Sequence, residues 1–194
     1  LREVISKYKG NDYQDYDRAV DEISKKYNGT ADWGVITTGA IIDLRAAFIL
    51  GDGVNITHTT ETAAEAEREL QWARDFFAYN GLDAEMAQEI AKEAEIEGKI
   101  ALRLSYDAEP VGVWQGMVSV RYLSWLAKRY TIETANNDYL WYKTLSWRPK
   151  DGETAAVIPE EEFVYKKFGG RLSVPNEAQP KIMKCLTEID RLDR

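Results

Sequence analysis

Apolar residues recur every three or four positions through the N-terminal half of the chain, which is the spacing of one face of a helix. The pattern predicts four helices, over 11–28, 33–50, 63–80 and 84–97. A glycine follows each of them, as is common at helix ends: Gly29, Gly51, Gly81 and Gly98. The residues expected to face inward from the last two helices are Ala66, Leu70, Ala73 and Phe77, and then Ala87, Ile90, Ala91 and Ala94.

The segment 33–50 is apolar almost throughout and nearly reaches membrane-spanning length. Asp43 and Arg45 interrupt it, and charges are costly in hydrocarbon. We therefore expect a buried core helix rather than a membrane span. The residues 54–58 that follow have the pattern of a short strand.

After Gly98 the period changes to two, and β-branched and aromatic residues become frequent. Further strands are predicted over 99–106, 111–122, 130–134, 139–147 and 162–168. Helices followed by strands favour an α+β fold. We expect one α+β domain over 1–194, in which N-terminal helices pack on a mostly antiparallel sheet.

The final segment, 177–194, has the pattern of another helix. Its apolar stripe consists of Ile182, Leu186, Ile189 and Leu192. No glycine or asparagine cap follows this stripe. We therefore expect a fragment of a longer protein, in which the C-terminal helix leads toward further structure.

Charge is concentrated in one part of the chain. The predicted helical hairpin over 61–97 holds eleven acidic and three basic residues, which accounts for the whole net charge of −8 over 194 residues. No basic face of the kind that binds nucleic acid tightly is visible. The hairpin is typical of a solvated surface that keeps a protein soluble. It is also compatible with a surface that avoids DNA or meets a basic partner.

Few residues are available for catalysis or metal binding. The chain has one histidine, His58, and one cysteine, Cys185, which excludes a typical zinc site and leaves one candidate base for a nucleophilic triad. Gly51-Asp52-Gly53 lacks the spacing of a phosphate-binding loop. Asp12, Asp15 and Asp17 miss the register of a calcium loop. We expect no catalytic residue, no cofactor and no metal, and hence no enzyme.

Two alternatives remain open. The first is a ligand-binding module that stacks a sugar or nucleobase on Trp141 and Trp147, which should share a strand face with Tyr139, opposite Tyr142. Core packing is the more common role of such residues. The second is a hydrolase that uses Glu161 or Glu162, although adjacent carboxylates have no reason to face one cleft.

Three segments carry a family resemblance. They are IIDLRAAFILGDGVNI (41–56), AKEAEIEGKIALRL (91–104), and FVYKKFGGR (163–171) followed by Pro180. In this order they resemble the N-terminal, wing-like region of bacteriophage portal proteins, the head-to-tail connectors. An apolar helix there runs into a Gly-x-Gly turn, and an acidic helix ends in glycine before a core strand.

The resemblance implies a structural subunit without catalytic residues. It implies a ring of identical subunits, typically a dodecamer, at one vertex of a viral capsid, assembled in the bacterial cytoplasm. Double-stranded DNA passes through such a ring without sequence-specific binding. Terminase, capsid or scaffold proteins and head-completion adaptors bind its surfaces, and no membrane is involved.

Overall fold

The computed structural model describes residues 14–28, 33–50, 54, 56–57, 63–83, 85–107, 109, 116–125, 130–135, 138–148, 154–170, 174–180 and 182. The helices are α1 (Gln14–Asn28), α2 (Trp33–Leu50), α3 (Ala63–Tyr79) and α4 (Glu85–Glu97). The strands are β1 (Lys99–Asp107), β2 (Met117–Tyr122), β3 (Tyr130–Ala135), β4 (Asp138–Trp147), β5 (Ala156–Pro159) and β6 (Phe163–Lys167). The fold is α+β, as the sequence predicts.

The strands form two antiparallel three-stranded sheets rather than the single sheet expected. One has the order β2-β1-β6 and the other the order β3-β4-β5. The sequence did not predict β5, which is four residues long and ends in a proline. The described residues of the predicted strand 54–58 are not in a strand.

One hydrophobic cluster joins the helices to both sheets. Its buried members include Tyr16, Val20 and Ile23 of α1, Ile42 of α2, Ile96 of α4, Ala101 of β1, Ile132 of β3, Leu145 of β4, Ile158 of β5 and Phe163 of β6. Because each of these elements contributes only one to three side chains, none of them buries its apolar face without the others. The cluster therefore places the two sheets and the helices α1, α2 and α4 around one core.

The residues 174–180, here called the linking segment, tie the two sheets together. The Asn176 side chain pairs with the backbone of β3: its Oδ1 accepts a bond from the amide of Ile132 at 2.6 Å, and its Nδ2 donates to the carbonyl of Ile132 at 3.0 Å. From β6, the Tyr165 hydroxyl donates to the carbonyl of Pro175 at 2.6 Å and Lys167 Nζ to that of Val174 at 2.7 Å.

The predicted C-terminal helix does not begin at Glu177, because residues 177–180 are not helical. Lys167 Nζ donates to the carbonyl of Glu177 at 3.1 Å, and the amide of Gln179 donates to the carbonyl of Phe168 at 3.0 Å. Pro180 has no amide hydrogen to donate. Ile182, the first residue of the predicted stripe, is buried in the core. The rest of that helix lies outside the described residues.

Gly98 makes the junction between α4 and β1 possible. Its φ is +70°, a left-handed conformation that favours glycine. A Cβ atom at this position would lie 2.6 Å from the backbone nitrogen of Pro180. The linking segment can therefore pass directly against the end of α4.

Candidate functional site

Helix α2 presents an apolar face outward. Its inward face carries Thr38, Ile42 and Ala46, which are all buried. On the opposite side Leu44 is 58% exposed and Phe48 is 84% exposed. The prediction of a buried core helix was therefore wrong for this outward side of α2. The exposed residues Ala40, Leu44, Ala47 and Phe48, here called the outward face of α2, contain no polar side chain.

The charged residues beside the outward face are partnered within the chain. Arg45 makes a two-pronged ion pair with Glu95 of α4, with N–O distances of 2.7 and 2.9 Å. Asp43 accepts a bond from the Tyr27 hydroxyl at 3.0 Å and lies 3.6 Å from Lys92 Nζ. Burial, and then the hydrogen bond to Asp43, raise the pKa of Tyr27.

An apolar cavity lies between the end of α2 and helix α4. Its volume is about 260 Å³. Its walls include Ile49 and Leu50 of α2, Ala87, Ile90 and Ala94 of α4, and Phe168 after β6. Glu95 also borders the cavity, but its carboxylate is paired with Arg45. The cavity is therefore suited to an apolar group.

This cavity explains why the predicted inward stripe of α4 is only partly buried. Of the four residues predicted to face inward, Ala91 is buried, whereas Ala87, Ile90 and Ala94 are partly exposed at the cavity wall. The two helices of the acidic hairpin also have different packing partners. Helix α4 packs on α2 and β1, and α3 packs on β2.

The predicted inward residues of α3 are likewise only partly buried. Asn80, which follows α3, holds this helix to β2: its Nδ2 donates to the carbonyl of Val118 at 2.9 Å, and its Oδ1 accepts from the amide of Val120 at 2.7 Å. On the helix surface Trp72 stacks on Phe76 with ring centroids 5.6 Å apart. The hairpin surface is therefore acidic but not wholly polar.

A lysine is buried in the core. Lys99, the first residue of β1, is 0% exposed. Its Nζ lies 3.2 Å from the ring centroid of Trp125, 4.9 Å from that of Tyr16 and 5.3 Å from that of Tyr130. It also donates a hydrogen bond to the backbone carbonyl of Asn176 in the linking segment. Three aromatic faces and one carbonyl thus replace the water around this ammonium group.

Glu97, two residues earlier, is also 0% exposed. Its Oε1 accepts bonds from the Ser124 hydroxyl at 2.9 Å and the Trp125 amide at 2.7 Å. Burial raises the pKa of Glu97 to about 7, although the neighbouring Tyr122 hydroxyl, these two bonds and the charge of Lys99 favour the ionised form. Burial lowers the pKa of Lys99 well below its usual value, and the charge of Glu97 opposes that shift.

Hydroxyl groups next to Glu97 share its buried surroundings. Burial, and then the charge of Glu97, raise the pKa values of Tyr122 and Tyr130. Neither hydroxyl makes a well-aligned hydrogen bond to a described residue, and neither does Glu97 Oε2. Both charged side chains are 0% exposed, so this cluster is part of the packed core.

Sequence reasoning missed this pair. It treated the acidic hairpin as a solvated surface, yet Glu95 and Glu97 are both buried. The alternation of side chains along β1 could have indicated that Lys99 is buried, because it places Lys99 on the same face as Ala101. That face enters the core, and Ile100 on the other face lines the cavity.

The two aromatic residues of β4 that the structure describes pack against the core. The guanidinium carbon of Arg103 lies 5.5 Å from the ring centroid of Trp147. The rings of Tyr142 and Tyr165 meet edge-on, with centroids 4.8 Å apart. They were expected on opposite faces. The consecutive β3 residues Glu133 and Thr134 pair with Thr144 and Tyr142 of β4. Lys143 is therefore an extra residue in β4, and side chains on either side of it no longer alternate regularly between the two faces.

The remaining candidates are exposed, hydrogen-bonded within the chain, or outside the described residues. Glu161 and Glu162 are exposed in a short 3-10 helix before β6. Asp17 accepts a hydrogen bond from Trp125 Nε1 at 2.8 Å. The candidates that lie outside the described residues are His58, Cys185, Gly51-Asp52-Gly53, Asp12, and the side chains of Asp15, Tyr139 and Trp141.

Comparison with known proteins identifies no family. No protein-family model and no curated protein sequence matches the chain.

Among the described residues, no three His, Cys, Asp or Glu side chains are grouped so that they could hold a metal ion. Within the same residues, no helix combines the length and apolar character needed to cross a membrane.

Proposed function

We propose that this protein is a structural subunit of a phage portal ring, which forms the DNA conduit and the docking hub for packaging and head completion. The observation that carries the proposal is the outward face of α2. A helix that is apolar all round is normally buried on all sides. Here one side meets the core, and Leu44 and Phe48 extend into solvent.

Such a face is typical of a surface that meets another protein. Exposed apolar residues in contiguous patches mark interaction sites, whereas scattered ones are ordinary. The outward face of α2 is contiguous, since Leu44 and Phe48 are four residues apart on one helix. The neighbouring charges are partnered within the chain, so little desolvation of free charge opposes contact.

The charge distribution suits a conduit that does not hold its DNA. Binding of duplex DNA gains affinity from lysine and arginine that displace counterions. The net charge of −8, which is concentrated in 61–97, opposes such binding. DNA can then move past the subunit without sequence-specific attachment.

The resemblance of 41–56, 91–104 and 163–171 to portal proteins directs the choice among structural assemblies. On that basis the proposed assembly is a ring of identical subunits, with twelve as the number implied by the family. It sits at one vertex of the virion and binds terminase, capsid or scaffold proteins and adaptors. Contacts around such a ring are head-to-tail and close when the rotation between subunits allows.

The experiment is sedimentation velocity of the purified chain over a wide concentration range, with negative-stain images of the largest species. We expect concentration-dependent assembly into ring-shaped particles. A strict monomer at the highest concentration would contradict the proposal.

Two matched variants locate the contact. Leu44→Ser removes an exposed apolar side chain from α2 and should weaken assembly. Val157→Ser removes one from β5, where Val157 is 68% exposed, and should leave assembly unchanged. Equal effects of the two variants would show that the face of α2 is not the interface.

A further inference from the structure

We propose that, in this subunit ring, Phe48 of one copy inserts into the cavity between α2 and α4 of the next copy. This inference rests on the proposed ring and identifies the two surfaces that meet in it. The side chain is 84% exposed, and the cavity of about 260 Å³ is lined mostly by apolar side chains. An aromatic anchor seated in an apolar pocket is the usual centre of a protein interface.

The cavity has the right size for this side chain. An apolar cavity of about 150 Å³ already holds a benzene molecule. The cavity here is larger, and it is bounded by Ile49, Ile90 and Phe168. It can therefore accept the phenyl ring of Phe48 together with its Cβ. The single carboxylate at its edge, that of Glu95, stays paired with Arg45 and needs no partner from the neighbour.

The positions of the side chain and the cavity favour a head-to-tail contact. Successive residues of an α-helix are rotated by roughly 100° about the axis. Phe48 is therefore directed about 100° away from Ile49 and about 200° away from Leu50, both of which line the cavity. A projection and a recess on different sides of one molecule join copies in series, and a suitable rotation closes the series into a ring.

Electrostatics also favour this arrangement over a two-fold dimer. The cavity wall belongs to α4, whose hairpin carries the whole net charge of −8. A two-fold contact through the cavity would place two such hairpins against each other. The outward face of α2 contains no charged side chain, so a head-to-tail contact avoids this repulsion.

A second copy is the occupant that the structure favours, because each chain carries both the projecting Phe48 and a recess large enough to hold it. A contact built on a single anchor is small beside the roughly 800 Å² per partner that is typical of a stable protein pair. An isolated pair of copies should therefore be weak. In a closed ring every copy makes two such contacts, and the last contact forms without further loss of translational freedom.

Cysteine cross-linking tests the contact. In the full chain with Cys185→Ser, Ala47→Cys places a thiol beside Phe48 at an exposed position and keeps the anchor, and Ala87→Cys places one in the cavity wall. A short bismaleimide can join two thiols only where they lie close together. We expect covalent dimers when the two single variants are mixed, and a ladder of covalent oligomers from the double variant. Each single variant alone should remain uncross-linked.

Several outcomes would overturn the contact. Rings that form without any link between positions 47 and 87 would overturn the contact while leaving the proposed function intact. Dimers from Ala47→Cys alone would indicate a two-fold interface. Protection of the cavity thiol by a co-purified apolar small molecule, seen by native mass spectrometry, would indicate a ligand instead. Absence of any assembly would overturn both proposals.

A second measurement does not depend on the thiols. Phe48→Ala should weaken self-association roughly thirtyfold, which is the loss expected on removing an interface anchor. The far-ultraviolet circular dichroism should not change, because the side chain makes little contact with its own core. Phe48→Leu should restore part of the association. An unchanged association constant for Phe48→Ala would overturn the contact.

Discussion

Lys99 and Glu97 are two charged residues that are completely buried in the core. Removing two charged groups from water is costly, and the cost is offset only when each finds partners. Lys99 has three aromatic faces and the Asn176 carbonyl, and Glu97 has Ser124 and the Trp125 amide. Their electrostatic coupling reduces the cost further. Replacement of either one leaves the other less well compensated.

Lys99→Met should lower the free energy of unfolding by about 3–5 kcal/mol, the range found when one partner of a buried pair is removed. In the double variant with Glu97→Gln the loss should be smaller than the sum of the two single losses. Urea unfolding of the two single variants and the double variant measures this coupling. Lys166→Met, an exposed lysine on β6, is the control and should change stability by less than about 0.5 kcal/mol. Strictly additive losses would show that the two groups do not interact.

Glu97 should also make stability depend on pH. Its pKa is raised from 4.5 to about 7 in the folded chain, so the folded state binds this proton more tightly than the unfolded state. The stabilisation that comes from this tighter proton binding is fully present below pH 4.5 and is lost as the pH rises through about 7. The shift for Lys99 acts in the opposite direction, toward greater stability as the pH rises toward 10.5.

The pH prediction is tested by comparing the chain with Glu97→Gln between pH 5 and pH 8. The unfolding free energy of the unchanged chain, relative to that of Glu97→Gln, should fall over this range by up to about 3 kcal/mol. Glu161→Gln, at an exposed position, should follow the unchanged chain. Parallel curves for the chain and Glu97→Gln would contradict the raised pKa.

Trp147 distinguishes core packing from ligand stacking. Its ring packs on the core beneath Arg103, so Trp147→Ala should lower the free energy of unfolding by roughly 2 kcal/mol, about half the cost of a fully buried tryptophan. Thermal unfolding and a screen of sugars and nucleotides measure the two roles. Full stability together with lost ligand binding would favour the binding module.

At the scale of elements, the end of α4 is the most constrained junction. Gly98→Ala should destabilise the fold by about 2 kcal/mol or more, because the new Cβ meets the backbone of Pro180 in a left-handed conformation. Gly39→Ala is a matched control within α2, where a Cβ has no neighbour within 4 Å. It should be neutral or stabilise by up to about 1 kcal/mol. Equal effects in urea unfolding would mean that the contact with the linking segment is unimportant.

At the scale of the whole molecule, the charge of −8 should govern assembly and DNA binding. Raising the salt concentration from about 0.02 M to about 0.2 M screens repulsion between acidic copies and should strengthen self-association. Sedimentation velocity measures this effect.

The chain should not retard duplex DNA in a gel at either salt concentration. Retardation that weakens with added salt would indicate a basic face and contradict the conduit hypothesis.

Local patterns in the sequence were sufficient to place most elements. A helix repeats every 3.6 residues and a strand every two, and glycine ends helices because it adopts positive φ without strain. These rules act over a few neighbours, so α1 to α4 and β1, β3, β4 and β6 fall within a few residues of their predicted bounds. The α+β class followed from their order. The concentration of charge in 61–97 also required only counting.

Contacts between residues far apart in the chain decided the rest. Periodicity cannot say which side of the apolar helix α2 packs on the core and which side is exposed. Nor can it show that Lys143 is an extra residue that changes the face of Tyr142. It also cannot show that Lys99 finds Trp125 and Asn176, which lie 26 and 77 residues away. Burial of a charge is tolerable only where such distant groups converge. The apolar cavity and the outward face of α2 also depend on such distant contacts. Both consist of apolar side chains that remain exposed when α2 packs on α4.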